Sequence, residues 1–150
     1  MLYPAVALVE GTNVSVGRGT DHAFAVVGAP FIDGQALAAE LTRAGVSGVS
    51  VSATRFRPKV GPYAGQRVAG VALLLDDPHQ FSASRTGLSL IRALSSLYRE
   101  QWDTSRLEKL VAHRRTVDML LGNTPLPEVE AAYRRELDAF EASRKTTLLY

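Results

Sequence analysis

Residues 49–75, VSVSATRFRPKVGPYAGQRVAGVALLL, decide the fold. Val49–Phe56 alternates Val with Ser before reaching Arg-Phe-Arg-Pro, the period-two pattern of a strand with one wet face. Arg67–Leu75 is apolar at nearly every position after Arg67, as the central strand of a sheet should be. Pro58–Gly65 between them is a turn-rich connection. Asp76-Asp77-Pro78 closes the second run, and these acids read as a strand-ending turn before proline in preference to a cation site. A sheet is built here, and the flanking segments must supply its cover.

Upstream, Tyr3–Glu10 (YPAVALVE) reads as a further strand, mostly apolar and so buried on both faces. Gly11–Asp21 (GTNVSVGRGTD) has loop chemistry. Ala23–Val27 reads as a short strand ended by Gly28-Ala29-Pro30. Asp33–Ala44 is a helix: Asp33 caps it, Leu37 and Leu41 share a face, and Gly45 supplies the left-handed stop. Downstream the apolar spacing becomes helical. It predicts helices over Ser84–Tyr98, Ser105–Leu121 and Pro127–Ser143, the last two separated by Gly122-Asn123-Thr124-Pro125. In the second of these Arg114 interrupts the stripe Leu110, Val117, Leu121, so its stem is expected to snorkel. Thr146–Tyr150 is apolar to its end and is expected to dock. Sheet first and helices later gives an α+β fold: one domain over 1–150, a mixed sheet of about four to five strands, and about four helices packed on it.

Composition narrows the function. The chain has 150 residues, 46% hydrophobic and 21% charged, which suits one globular domain and excludes disorder or coiled-coil arrays. With no cysteine, disulfides, zinc ribbons and thiol nucleophiles are excluded. No apolar run approaches the ~20 residues that cross a bilayer, so no membrane insertion is expected. The N-terminus lacks the basic start and long apolar core of a signal peptide, which leaves exported and cytoplasmic placement both open. Its abrupt strand-like start reads as a chain cut from something longer. The 17 basic and 15 acidic residues are interleaved, as in Arg134–Lys145, so nucleic acid is not an expected partner.

The chemistry concentrates in Glu10–Asp21. Glu10 ends an apolar run, where partial desolvation would suit a carboxylate to acid–base work. It could equally cap the loop or pair with Arg18. Gly17-Arg18-Gly19-Thr20 lacks the spacing of a phosphate loop, and His22, His79 and His113 lack metal-ligand spacing; no cofactor and no metal are expected. Tyr98 and Trp102 fit core packing better than sugar stacking.

The stretch Glu10–Asp21, followed by Val27-Gly28-Ala29-Pro30, resembles the opening of the C-terminal domain of the bacterial exo-β-N-acetylmuramidase family, formerly a domain of unknown function. Phe56 and Pro58, Tyr63-Ala64-Gly65 leading to Gly70-Val71, and Arg144 with Leu148-Leu149-Tyr150 extend the resemblance over the chain. It implies removal of N-acetylmuramic acid from the non-reducing ends of peptidoglycan fragments, in a cleft between a Rossmann-like N-terminal domain, which this chain lacks, and this smaller domain. A peptidoglycan-derived sugar and that Rossmann-like domain are thus the implied partners. Glu10 is the implied catalytic candidate, as acid–base or as acceptor to the sugar. Asn13, Ser15, Arg18, Thr20 and Asp21 are implied substrate-binding residues, Arg18 through Glu10 or the lactyl carboxylate. Phe31 stands where the family often has Trp, which keeps a stacking ring but loses the indole donor. The isolated chain is then expected to be inactive. The rival expectation is a non-catalytic module that binds glycan or a partner domain.

Overall fold

In the computed structural model, which describes residues 2–145, the two decisive runs pair antiparallel. β2 (Val49–Phe56) and β3 (Val68–Leu75) match in the register Val51↔Leu73 and Arg55↔Ala69, and β1 (Val26–Ala29) adds to the other edge of β3 through Val27↔Val71 and Ala29↔Ala69. The order is β1-β3-β2. The domain is α+β as expected. Its sheet has three strands, all antiparallel, against the mixed sheet of four to five, with one further bridge between Ser15 and Gly28.

The missing strand is the N-terminal run. Tyr3–Ala7 forms a short helix, α1, and successive turns carry the chain through Glu10 to Thr12. Pro4 sits in the first helical turn, where its absent N–H costs nothing. Ala5, Val6 and Val9 are buried, a helical spacing that a short apolar run does not distinguish from a strand. Gly87 explains where α1 rests. A Cβ there would lie 2.8 Å from the Ala5 carbonyl, so only glycine lets α1 lie this close to the helix behind it. The second strand is displaced too, to Val26–Ala29, because Gly28 lies within the ladder and does not end it. Gly28 faces Gly70, and a Cβ on Gly70 would sit 1.9 Å from the Val27 carbonyl.

α2 (Gly34–Arg43) lies across β2 and β3, with Asp33 Oδ1 accepting from the amides of Gln35 and Ala36. α3 (Ala83–Tyr98) packs on α1 and α2 and buries Leu88, Ile91 and Leu94. Tyr98 ties α3 to the start of α2, its hydroxyl donating to the Asp33 carbonyl at 2.9 Å and accepting from the Asp33 amide at 3.1 Å. The expected helix over Ser105–Leu121 is two: α4 (Leu107–Val111) and α5 (Arg114–Leu121). Ala112 adopts φ 55° between them and His113 caps α5 through the Thr116 amide. The break takes Arg114 off the stripe. It stands exposed, 3.4 Å from Glu108 and 3.8 Å from Asp118, and does not snorkel. α6 (Leu126–Lys145) packs on α5 through its first turns, burying Leu126 and Val129. Thr146–Tyr150 lies outside the described residues.

Candidate functional site

The Glu10–Asp21 loop is held at both ends by hydrogen bonds its own residue types supply. Buried Thr12 donates to the Val9 carbonyl (2.7 Å) and accepts from Trp102 Nε1 (3.0 Å), which places Trp102 in the core as expected. Asn13 bonds backbone at both ends of its amide: Nδ2 donates to the Gln101 carbonyl and Oδ1 accepts from the Asp103 amide, each at 2.8 Å. Ser15 is buried, exchanges backbone bonds with Gly28, and accepts from the Gly17 amide at its hydroxyl. Thr20 donates to the Gly17 carbonyl (2.7 Å) and accepts from the His22 amide. Asp21 is exposed. Three of the expected sugar contacts, Asn13, Ser15 and Thr20, therefore shape the loop with their polar atoms.

What the loop presents is a charged pair. Arg18 Nε donates to Glu10 Oε1, with Glu10 about a quarter exposed and Arg18 about half. Oε2 has no partner among the described residues. The Glu10 carboxylate raises Arg18 above its ordinary pKa. Arg18 also lies over the Phe24 ring, 5.0 Å from its centroid, and exposed Tyr3 meets the same ring edge-on at 4.6 Å. Gly17 and Gly19 adopt φ 73° and 77° on either side, so the chain can turn sharply enough to lift Arg18. The Arg18 carbonyl accepts from the amides of Lys59 and Val60, which fastens the loop to the β2–β3 connection.

Phe31 is elsewhere. It lines an open groove of about 920 Å³ between the start of α2 and the sheet, with Asp33, Gln35, Thr54, Arg55 and Arg67, over a floor that includes Ala53 and Ala69. Its ring leans on Tyr98 with centroids 5.8 Å apart. None of Glu10, Asn13, Ser15, Arg18, Thr20 or Asp21 lines this groove. Arg55 and Arg67 were not among the residues singled out from the sequence. The signal for them was available in the strand pattern, because pairing the two strands puts Arg55 opposite Ala69, two residues from Arg67. Among the described residues no group of three or more His, Asp or Glu could hold a metal ion, and no helix is long and apolar enough to cross a membrane.

Residues 1–150 match the family model described as exo-beta-N-acetylmuramidase NamZ, C-terminal. The chain is 34% identical over 152 residues to the peptidoglycan beta-N-acetylmuramidase NamZ of Bacillus subtilis (strain 168), a match that covers 99% of this chain and 37% of that protein. Two DUF1343 family proteins of Bacteroides fragilis NCTC 9343 share the fold. One is 28% identical with a TM-score of 0.71, the other 19% identical with a TM-score of 0.68; each match covers 99% of this chain, and 40% and 41% of theirs. The chain thus spans about two fifths of the length of the relatives it matches.

Proposed function

We propose, because this chain belongs to the exo-β-N-acetylmuramidase NamZ C-terminal family, that it forms one wall of a peptidoglycan-cleaving site completed by the part of its relatives that it does not cover. Membership places it in a family of peptidoglycan glycoside hydrolases. The observation that carries the finer reading is the Glu10–Arg18 pair, raised on a loop whose other polar residues are committed to holding it in place.

Cleaving a glycoside takes two carboxyl groups as a rule. The loop offers Glu10, and the second belongs to the uncovered part of the relatives, whether that Rossmann-like domain is joined in cis or in trans. Glu10 Oε1 is already held by Arg18, so Oε2 is the atom left to accept from a sugar hydroxyl. This favours the acceptor role over acid–base work. Arg18, anchored by Phe24, keeps that carboxylate oriented. Phe31, the expected stacking ring, lines a separate groove that none of these loop residues line. The alternative is a non-catalytic module that binds glycan or a partner domain; the internal hydrogen bonds of Asn13, Ser15 and Thr20 leave fewer polar atoms for a sugar and favour its partner-domain form.

A chromogenic β-N-acetylmuramide tests this. Turnover is expected when the chain is supplied with the N-terminal part of a relative and is absent from either alone. Glu10→Gln should lower kcat/KM about tenfold or more, mostly through KM, as loss of a hydrogen bond to a charged acceptor does. Fragment affinity without turnover in any combination supports the binding module instead. Full activity of Glu10→Gln removes Glu10 from the site.

A further inference from the structure

We propose that the groove between the start of α2 and the Arg55–Arg67 end of the sheet is a carboxylate subsite for a muramyl ligand. The proposal rests on the muramidase reading for its choice of ligand.

Arg55 and Arg67 lie on one face of the sheet. Arg55 is opposite Ala69, and Arg67 is two residues before Ala69, so the two arginines are diagonal cross-strand neighbours within reach of each other's long side chains. Like charges so placed repel, and neither β2 nor β3 carries an acid to offset them. Neither Arg55 nor Arg67 has an ion pair or hydrogen bond among the described residues; Arg57, Arg115, Arg134 and Arg135 share that state, and what sets Arg55 and Arg67 apart is that they stand together in one groove wall. The acid nearest in the groove wall is Asp33, and its Oδ1 already caps α2. A second hollow of about 430 Å³ also has Arg55 and Arg67 in its wall.

The rest of the wall suits a sugar. Ala53 and Ala69 leave the floor low, and the Phe31 ring, half-buried and held by Tyr98, supplies a flat apolar surface. Gln35 adds a neutral donor and acceptor. At about 920 Å³ the groove is at the upper end of the usual size for small-ligand sites, large enough for a pyranose bearing an acidic substituent. Paired guanidinium forks are the usual partners of a planar carboxylate. Two carboxylates of peptidoglycan fragments meet this description: the lactyl group of bare N-acetylmuramic acid and the free carboxylates of a stem peptide.

The test is a ¹H–¹⁵N NMR titration of the whole 150-residue chain. N-acetylmuramic acid should shift the amides of Phe31–Gln35, Arg55 and Arg67. N-acetylglucosamine, which lacks the lactyl carboxylate, should bind at least about tenfold more weakly. Arg55→Gln with Arg67→Gln should remove that preference while leaving the melting temperature unchanged, since both side chains are exposed. Muramyl dipeptide, whose lactyl group is an amide, separates the sources: binding as tight as the free sugar, with the same loss in the double variant, assigns the carboxylate to the peptide, and weaker binding assigns it to the lactyl group. Either result upholds the subsite. Equal binding of the two sugars, wild-type binding by the double variant, shifts confined to residues 10–21, or no shift at all overturns it. The muramidase reading is judged separately by hydrolysis of the chromogenic muramide.

Discussion

Replacing Thr12 by Val removes one hydroxyl from the root of the candidate loop and leaves the shape of the side chain. Two bonds pass through that oxygen: it donates to the Val9 carbonyl at 2.7 Å and accepts from Trp102 Nε1 at 3.0 Å. The Val9 carbonyl keeps a partner, because the Thr12 amide also donates to it at 3.1 Å. The indole N–H does not. Trp102 is 4% exposed, and its N–H would be left buried without an acceptor, which costs about 1–3 kcal/mol. Trp102→Phe removes the same donor at whatever packing cost the smaller ring carries. The two changes should therefore be coupled: in the Trp102→Phe background there is no N–H to orphan, and Thr12→Val should cost less than in the wild type by about 1–3 kcal/mol. Urea unfolding of the wild type, both single variants and the double variant gives the cycle. A coupling energy below about 0.5 kcal/mol, within the scatter of independent sites, would refute the account of how the loop is anchored.

Two further changes probe particular backbone and charge arrangements. Ala112 holds a left-handed conformation between α4 and α5, φ 55°, so Ala112→Gly should stabilise the chain by about 0.5–1 kcal/mol, read as a rise in the urea midpoint; a fall would contradict the strain assigned there. Asp77 accepts from the His79 amide and from Gln80, the His79 bond first, and its carboxyl is held below its ordinary value of 3.8. A depressed carboxyl stabilises the fold above the unfolded value and loses that contribution as pH falls through the folded one. Asp77→Ala should therefore lower the urea midpoint at pH 7, and the gap to wild type should close below pH 3.8. A gap that persists undiminished at low pH contradicts the assignment.

The parts of the fold legible in the sequence are those where local pattern and tertiary packing agree. β2 matches its expected span, while β3, α2 and α3 differ from theirs by one residue at one or both ends, because alternation, capping by Asp33 and long helical stripes leave little choice. Tyr3–Glu10 misled for a physical reason: a short apolar run does not distinguish helix from strand, and the seat that α1 takes against α3 depends on Gly87, about 80 positions away. The break at Ala112 had no breaker residue to announce it; the stop is made by the His113 cap. At the candidate site, the pairing of Glu10 with Arg18 was one of the readings open from their spacing on a Gly-rich loop. The commitment of Asn13 to residues 101 and 103 depends on contacts across the fold that no local pattern encodes. Arg55 and Arg67 went unnoticed because each looks like an ordinary strand end until the strands are paired.

The two candidate surfaces are mechanically joined, although no side chain belongs to both. The connection between β2 and β3 begins beyond Phe56 and returns at Val68, so Arg55 and Arg67 stand at its base. Its far side is fastened to the loop, where the amides of Lys59 and Val60 both donate to the Arg18 carbonyl; the Gly65 amide closes it on the Pro58 carbonyl at 2.8 Å. A Cβ on Gly19 would meet the Lys59 side chain at 2.8 Å, so the two segments are in close contact. β1 runs antiparallel to β3 and delivers Phe31 to this same end, two residues past the Ala29↔Ala69 pair. The Glu10–Arg18 pair, the connection, and the Phe31 groove thus share one end of the sheet.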